Sequence, residues 1–311
     1  MKVHKPIRLR DFIEDGEGWL YAVSTYDNGD KVGCTLRYIP DEGGDRETRD
    51  GRRYRKVDFD EACLLVSQKK PAYRDVFHRV PLSDIRRVLK PEEEIDRIAM
   101  RDARVRSLLS LFSLPPGTIG CTGSFLCGLE NEVSDIDLVV YGDHWFRAVE
   151  MLRDATERGV LEPIDEETWR RIYEKRKPEL GFDEFLLHEK RKWNRGKIGN
   201  TYFDILYTRS YADAGSAPHV KGRVMGKRTI EATVTDARFS HDSPAVYHID
   251  HEEVTSILSF THTYSGQARE GEVILARGVL EEHGDELWLI VGTSREARGE
   301  FIRSLSLLGE V

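Results

Sequence analysis

The sequence predicts an α+β protein in three segments, 1–90, 91–215 and 216–311. Three patterns lead there. Strand-like runs separated by turn residues come before a short helical stretch near the N-terminus. Helical and strand-like stretches then alternate between residues 91 and 215. Five short β-rich runs fill most of the remainder. At 311 residues the chain is long enough for two or three cores.

The first segment opens with GWLYAVSTY and KVGCTLRYI on either side of DNGD, a β-hairpin whose expected turn residues are Asn28 and Gly29. YRKVDFDEACLLVSQKK then reads as a strand followed by a helix, which completes a small α+β unit.

The middle segment begins PEEEIDRIAMRDARVRSLLSLFSLPPG. Ile95, Ile98, Ala99, Val105, Leu108, Leu109 and Phe112 fall close to one helical face. The glutamates occupy the first turn, where the helix dipole favours them, and Pro115, Pro116 and Gly117 end the helix. TIGC is a short strand leading into Gly123-Ser124. Asp143 is the expected N-cap of HWFRAVEMLRDATERG, and Gly159 its stop. Another helical stretch, about 165–192, precedes the strand TYFDILYTR.

In the last segment TIEATVTDARF, AVYHID, VTSILSFTHTY, GEVILARGVLEE and ELWLIVGTS predict a β-rich, barrel-like domain or sandwich. SREARGEFIRSLSLL closes the chain as an expected helix capped by Ser294.

Composition narrows the function. The formal net charge of −8 argues against a globally basic nucleic-acid binder and leaves room for a local basic patch. The cysteines, Cys34, Cys63, Cys121 and Cys127, form no C-x-x-C pair, which argues against a zinc ribbon or a disulfide framework. MKVHKPIRLRDF lacks the apolar core of a signal peptide, and no apolar run approaches the ~20 residues of a membrane span. A reduced, cytoplasmic protein without a membrane partner is expected.

The chemistry concentrates in GCTGSFLCGLENEVSDIDLVVYG, residues 120–142. Strand alternation points Asp135 and Asp137 to the same side, with Cα atoms roughly 6–7 Å apart. Ile136, Leu138 and Val140 point the other way, into a core. Two carboxylates on one face suit a hard cation such as Mg²⁺, with Mn²⁺ as a substitute. Gly123 allows close approach of the backbone to a ligand, and the Ser124 hydroxyl and neighbouring N–H groups can hold phosphate oxygens. A cation cradle and an anion cradle 135 − 124 = 11 positions apart suit a metal-bound polyphosphate.

The run GSFLCGLENEVSDIDLVV, with Gly-Ser followed by Asp-x-Asp on a strand, resembles the signature of the DNA polymerase β-like nucleotidyltransferase superfamily. The resemblance covers roughly residues 91–210, and the flanks look like those of archaeal predicted nucleotidyltransferases. It implies a mixed sheet with helices on one side, and transfer of a nucleoside monophosphate from an NTP to a hydroxyl with two metal ions and release of pyrophosphate. It also implies a third carboxylate on a later neighbouring strand. Asp204 in TYFDILYTR is the candidate, with Asp183 and Glu184 as fallbacks. Asp135, Asp137 and Asp204 are thus the expected catalytic and metal-binding residues. An antitoxin-like, catalytically silent binding protein of the same superfamily is the alternative.

Between the acidic strands, residues 170–197 carry ten basic and five acidic residues, a net +5, interleaved with Tyr173 and Trp193 and preceded by Trp169. Lys190, Arg191, Arg195 and Lys197 lie nearest to Asp204 in sequence and are the expected nucleotide-binding cations beside Gly123 and Ser124; a solvated, charge-paired helix is the competing reading. RNA or DNA is the favoured acceptor, with a protein side chain or a small molecule as the alternatives. KGRVMGKRT lacks phosphate-loop spacing, and His241, His248 and His251 lack the spacing of a metal site.

Overall fold

The computed structural model describes residues 5–75, 78–218, 221–294 and 296–311. They form two compact units: one drawn from 1–162 and 194–219, the other from 163–193 and 220–311.

The first unit contains two sheets. The N-terminal sheet has β1 (Phe12–Asp15), β2 (Leu20–Val23), β3 (Lys31–Pro40), β4 (Arg46–Glu47), β5 (Arg53–Lys56), β6 (His78–Pro81) and β7 (Ile85–Leu89). They run in the order β4-β5-β3-β2-β1-β7, with β6 also paired to β3. Helix α1 (Phe59–Lys69), capped by Asp58, places Ala62 and Val66 in one core with Val32, Cys34 and Leu36. The β2–β3 hairpin forms, but not through a tight Asn-Gly turn: Gly29 has no positive φ. Instead the Asn28 side chain closes a longer loop. Its Oδ1 accepts from Gly33 N–H at 3.0 Å, and its Nδ2 donates to Thr25 O at 2.8 Å.

The long helix expected after Pro91 is two helices, α2 (Pro91–Arg101) and α3 (Ala103–Leu109). Asp102 between them is extended, and its carboxylate caps α3 by accepting from the Arg104 and Val105 N–H groups. The second sheet follows from β8 (Ile119–Cys121), α4 (Gly123–Cys127), β9 (Ile136–Tyr141), α5 (His144–Glu157), β10 (Arg195–Ile198) and β11 (Thr201–Thr208). Its order is β10-β11-β9-β8, mixed because only β9 and β11 are parallel. Gly120 on β8 lets α2 begin directly against the sheet: a Cβ there would lie 2.4 Å from the Pro91 carbonyl carbon. Asp143 does not cap α5, since its own backbone is already helical.

The second unit holds α6 (Glu166–Arg176), α7 (Phe182–Lys190), β12 (Arg223–Asp236), β13 (Ala245–Asp250), β14 (Val254–Ser259), β15 (Val273–His283), β16 (Glu286–Val291), β17 (Phe301–Ser304) and α8 (Leu305–Leu308). Pairings run β12-β13-β14-β16-β15 and return from β15 to β12, with β14 and β16 parallel. Residues 163–193, read from sequence with the middle segment, group here because Trp169, Leu180 and Phe185 share a core with Tyr247, Ile257 and Leu289. The helix expected from Ser294 is instead β17 and the short α8. FIRS alternates, and its Ile302 is fully buried in that core.

Within the first unit, the N-terminal segment is fastened across the end of the second sheet by Arg8. Its guanidinium lies between the rings of Tyr141 and Tyr211, 3.6 and 3.7 Å from their centroids, and pairs with Glu92 at 3.1 Å. Tyr141 and Tyr211 both donate their hydroxyls to Glu92 at 2.9 Å. The Arg8 and Glu92 side chains are only 3% and 2% exposed, so the pair is desolvated. Removing Arg8 leaves Glu92 with the tyrosines and the part-exposed Lys5 at 3.4 Å, so Arg8→Ala is expected to lower unfolding free energy by about 3 kcal/mol, the low end for breaking a buried pair, read by urea denaturation. A loss well below ~1 kcal/mol would show that the tyrosines hold Glu92 without the arginine.

Candidate active site

The site grows from the register of the second sheet. Asp204 on β11 lies directly beside Asp137 on β9 in parallel pairing, and Arg195 on β10 lies directly opposite Asp204. Lys197 pairs with Tyr202 one pleat along. Alternation puts Asp137, Asp204, Tyr202, Arg195 and Lys197 on one face. The other face carries Ile136, Leu138, Phe203 and Ile205, all fully buried. The apolar residues therefore bury one face and leave the ionisable ones displayed on the other.

Asp204 is oriented by its neighbours. Arg195 Nε lies 3.3 Å from Oδ1, and the Tyr202 hydroxyl donates to the carboxylate at 3.1–3.2 Å. Asp137 is half-buried, and its carbonyl accepts from Thr122 N–H at 2.9 Å. Burial, and then the Asp204 charge beside it, push its carboxyl up to about 6; Asp135 adds to this, while Arg10 and Arg37 oppose it. Asp135 is exposed and sits just before β9 rather than within it.

Gly123 opens α4 with φ +68°, and a Cβ there would come 3.0 Å from Asp137 Oδ2. Glycine thus permits both the backbone conformation and the close approach to the carboxylate. Ser124 is half-buried, and among the described residues its hydroxyl has no hydrogen-bond partner. The Thr122 hydroxyl does not cap α4 but donates to Arg10 O at 2.8 Å. Ser134, just ahead of Asp135, holds its loop: its Oγ accepts from Asn131 N–H at 2.9 Å and from Arg46 at 3.1 Å.

Among the described residues no three carboxylate, imidazole or thiol groups converge into a complete ion cage. His248 and His251 are engaged separately, by Ser256 Oγ and the Glu253 N–H. The Asp137–Asp204 pair nevertheless fits a hard divalent ion. Mg²⁺ is commonly held by one or two carboxylates together with substrate phosphates, and a cation offsets the burial and the Asp204 charge that raise Asp137.

The expected basic face divides. Arg195 and Lys197 lie on the carboxylate face, whereas Lys190 and Arg191 belong to the other compact unit. There Arg191 pairs with Glu272 at 2.8 Å, and Arg176 and Lys192 both pair with the buried Glu189. Trp169 is buried in that unit's core, so it is no stacking surface. Sequence reading missed Tyr202, Arg10, Arg37 and Arg46. Only Arg37 left a trace: Tyr38 and Ile39 are adjacent apolar residues that break the alternation of Val32, Cys34 and Leu36.

Residues 104–210 match the family described as nucleotidyltransferase domain. The chain belongs to the polymerase β-like nucleotidyltransferase superfamily. An uncharacterized protein of Methanocaldococcus jannaschii is 36% identical to it, over 96% of this chain and 98% of that protein. The similarity to that relative therefore extends over the flanks as well as the core. No solved structure gives a significant match. Among the described residues, no helix is long and apolar enough to cross a membrane.

Because the folded Asp137 carboxyl titrates at about 6 against an ordinary 3.8, the folded state holds this proton more tightly than the unfolded chain. The stability so contributed is full below the unfolded value and is lost as pH rises through about 6. Asp137→Asn, in chelator, is therefore expected to stabilise the fold at pH 7.5 by on the order of 1–3 kcal/mol and to change little near pH 4. Thermal unfolding at both pH values reads this; no gain at pH 7.5 would show that the charge is accommodated without cost.

Proposed function

We propose that the protein is a metal-dependent nucleotidyltransferase that moves a nucleoside monophosphate from an NTP to a hydroxyl, releasing pyrophosphate. The observation that carries this reading is the register of Asp137 beside Asp204, with Gly123 packed against the first carboxylate. Asp135, Asp137 and Asp204 are the proposed ligands of two Mg²⁺ ions, which would polarise the α-phosphate and lower the proton affinity of the acceptor hydroxyl. Asp204, oriented by Arg195 and Tyr202, is the proposed group that assists removal of the hydroxyl proton. Gly123 and Ser124 are the proposed holders of the β and γ phosphates, a role supported by a Ser124 hydroxyl with no competing partner among the described residues. Arg195 and Lys197 add positive charge on the same face.

The proposed acceptor is a nucleic acid. The five strands of the ring β12-β13-β14-β16-β15 pair first-second-third-fifth-fourth and back to first, with third and fifth parallel. That is the connectivity of the OB barrel, a fold that binds oligonucleotides, and the support is at the level of fold.

Incubation with each α-labelled NTP, Mg²⁺ or Mn²⁺, and separate RNA, DNA and protein pools is expected to label a nucleic-acid pool. Asp137→Ala and Asp204→Ala are expected to reduce labelling on the order of 10²-fold or more. Label only in protein would reject the proposed acceptor. Label in none, with no thermal stabilisation by any NTP, would favour a silent nucleotidyltransferase-like domain.

A further inference from the structure

The N-terminal sheet carries a cation whose charge meets no partner among the described residues. In the β2–β3 pairing Leu20 faces Tyr38 and Tyr21 faces Leu36, which leaves Arg37 as the extra residue of a β-bulge. The bulge changes which way the strand points. Cys34 and Leu36 enter the core beneath α1, whereas Tyr38 enters a different core with Leu126, Cys127 and Leu129 around α4. Without the extra residue, positions 36 and 38 would share one face. The side chain at the switch is half-buried, yet among the described residues it makes no hydrogen bond or ion pair. The other buried or half-buried arginines described in this unit are engaged, as Arg46 is by Ser134 and Arg101 by Glu130. Leaving a cation partly desolvated without a counter-charge is costly, and bulges near functional sites commonly re-aim a side chain.

Three further observations relate this charge to the carboxylate face. Tyr38, the next residue, packs against Leu126 and Cys127 of the helix that Gly123 opens. Tyr141 lies on the same face of β9 as Asp137 and is covered by Arg8, so the N-terminal segment overlies the carboxylate face. Arg10, in the left-handed region at φ +74°, accepts the Thr122 hydroxyl on its carbonyl immediately before Gly123.

Resting on the nucleotidyl-transfer reading, we infer that Arg37 is a triphosphate-binding residue supplied by the N-terminal sheet. It neutralises the β and γ phosphates opposite the Ser124 hydroxyl and stabilises the pyrophosphate as it leaves. The pyrophosphate carries more charge after the α-phosphorus–oxygen bond breaks than before, so a fixed guanidinium there aids departure as well as binding.

The test compares the full-length protein with Arg37→Ala, Arg37→Lys and the exposed control Arg86→Ala. Titrations use an NTP, the matching NMP and inorganic tripolyphosphate, each with Mg²⁺. Arg37→Ala is expected to weaken NTP and tripolyphosphate binding about 10–100-fold while leaving NMP binding within about twofold. Arg37→Lys is expected to recover part of the loss, and Arg86→Ala to match wild type. An equal loss for NTP and NMP, or a fall in unfolding temperature that accounts for both, would make Arg37 structural and overturn the inference. NTP and tripolyphosphate binding unchanged in Arg37→Ala would also overturn it, with the nucleotidyl-transfer reading intact. A wild-type protein that binds neither would overturn both.

Discussion

Two carboxylates at the same level on adjacent parallel strands set the terms for everything around them. Asp137 and Asp204 cannot be moved apart without a slip of the β9–β11 register, and a slip of one residue would turn Phe203 and Ile205 out of the core. Burial of the apolar face therefore holds the charged face together. Burial, and then the repulsion this creates, raise the proton affinity of Asp137. Such an arrangement is costly for a protein that only needs to fold, and useful to one that gathers cations around a polyphosphate.

Other features follow from that constraint. Arg195 and Tyr202 hold Asp204 in one orientation, which fixes where the second carboxylate presents its oxygens. Gly123 brings a backbone turn to within a side chain's width of Asp137. Ser134, Arg46 and Asn131 fasten the loop that delivers Asp135. The Arg8–Glu92–tyrosine cluster fastens the N-terminal segment over the same sheet. Each device fixes a position close to the charge pair, and none needs to touch substrate to matter.

The local part of this was legible in the sequence. Asp137, with Gly123-Ser124 upstream, was legible as a strand acid, whereas Asp135 falls just before β9 and outside its alternation. Asp204 was legible as an acid inside an apolar strand run. What could not be read was pairing. Nothing in the residues states that β9 and β11 align with Asp137 against Asp204, or that Arg195 starts a strand opposite them. The basic stretch misled for the same reason. Arg176, Arg191 and Lys192 look like one patch with Arg195 and Lys197, yet Glu189 and Glu272 claim the first three within the other unit. Charge counted along a chain does not reveal which partner each charge meets. Turn chemistry failed where a side chain replaced it, as Asn28 did for the expected Asn-Gly turn.

The family match begins at residue 104, so it contains the carboxylates, Ser124, Arg195 and Lys197, but not Arg8, Arg10, Arg37 or Arg46. A core of carboxylates and a short turn can assemble metal and phosphate, yet it has few fixed cations of its own to receive the charge that accumulates on a leaving pyrophosphate. On the proposed reading, an additional sheet fastened over the carboxylate face would supply them without altering the strands that carry Asp137 and Asp204. Phosphate recognition would then be tuned in the N-terminal segment while the register that holds Asp137 against Asp204 stays intact. It also gives a physical reason for the M. jannaschii relative to share the flanks along with the core. If the flank completes the site, the nucleotidyltransferase domain cannot bind its triphosphate fully without it.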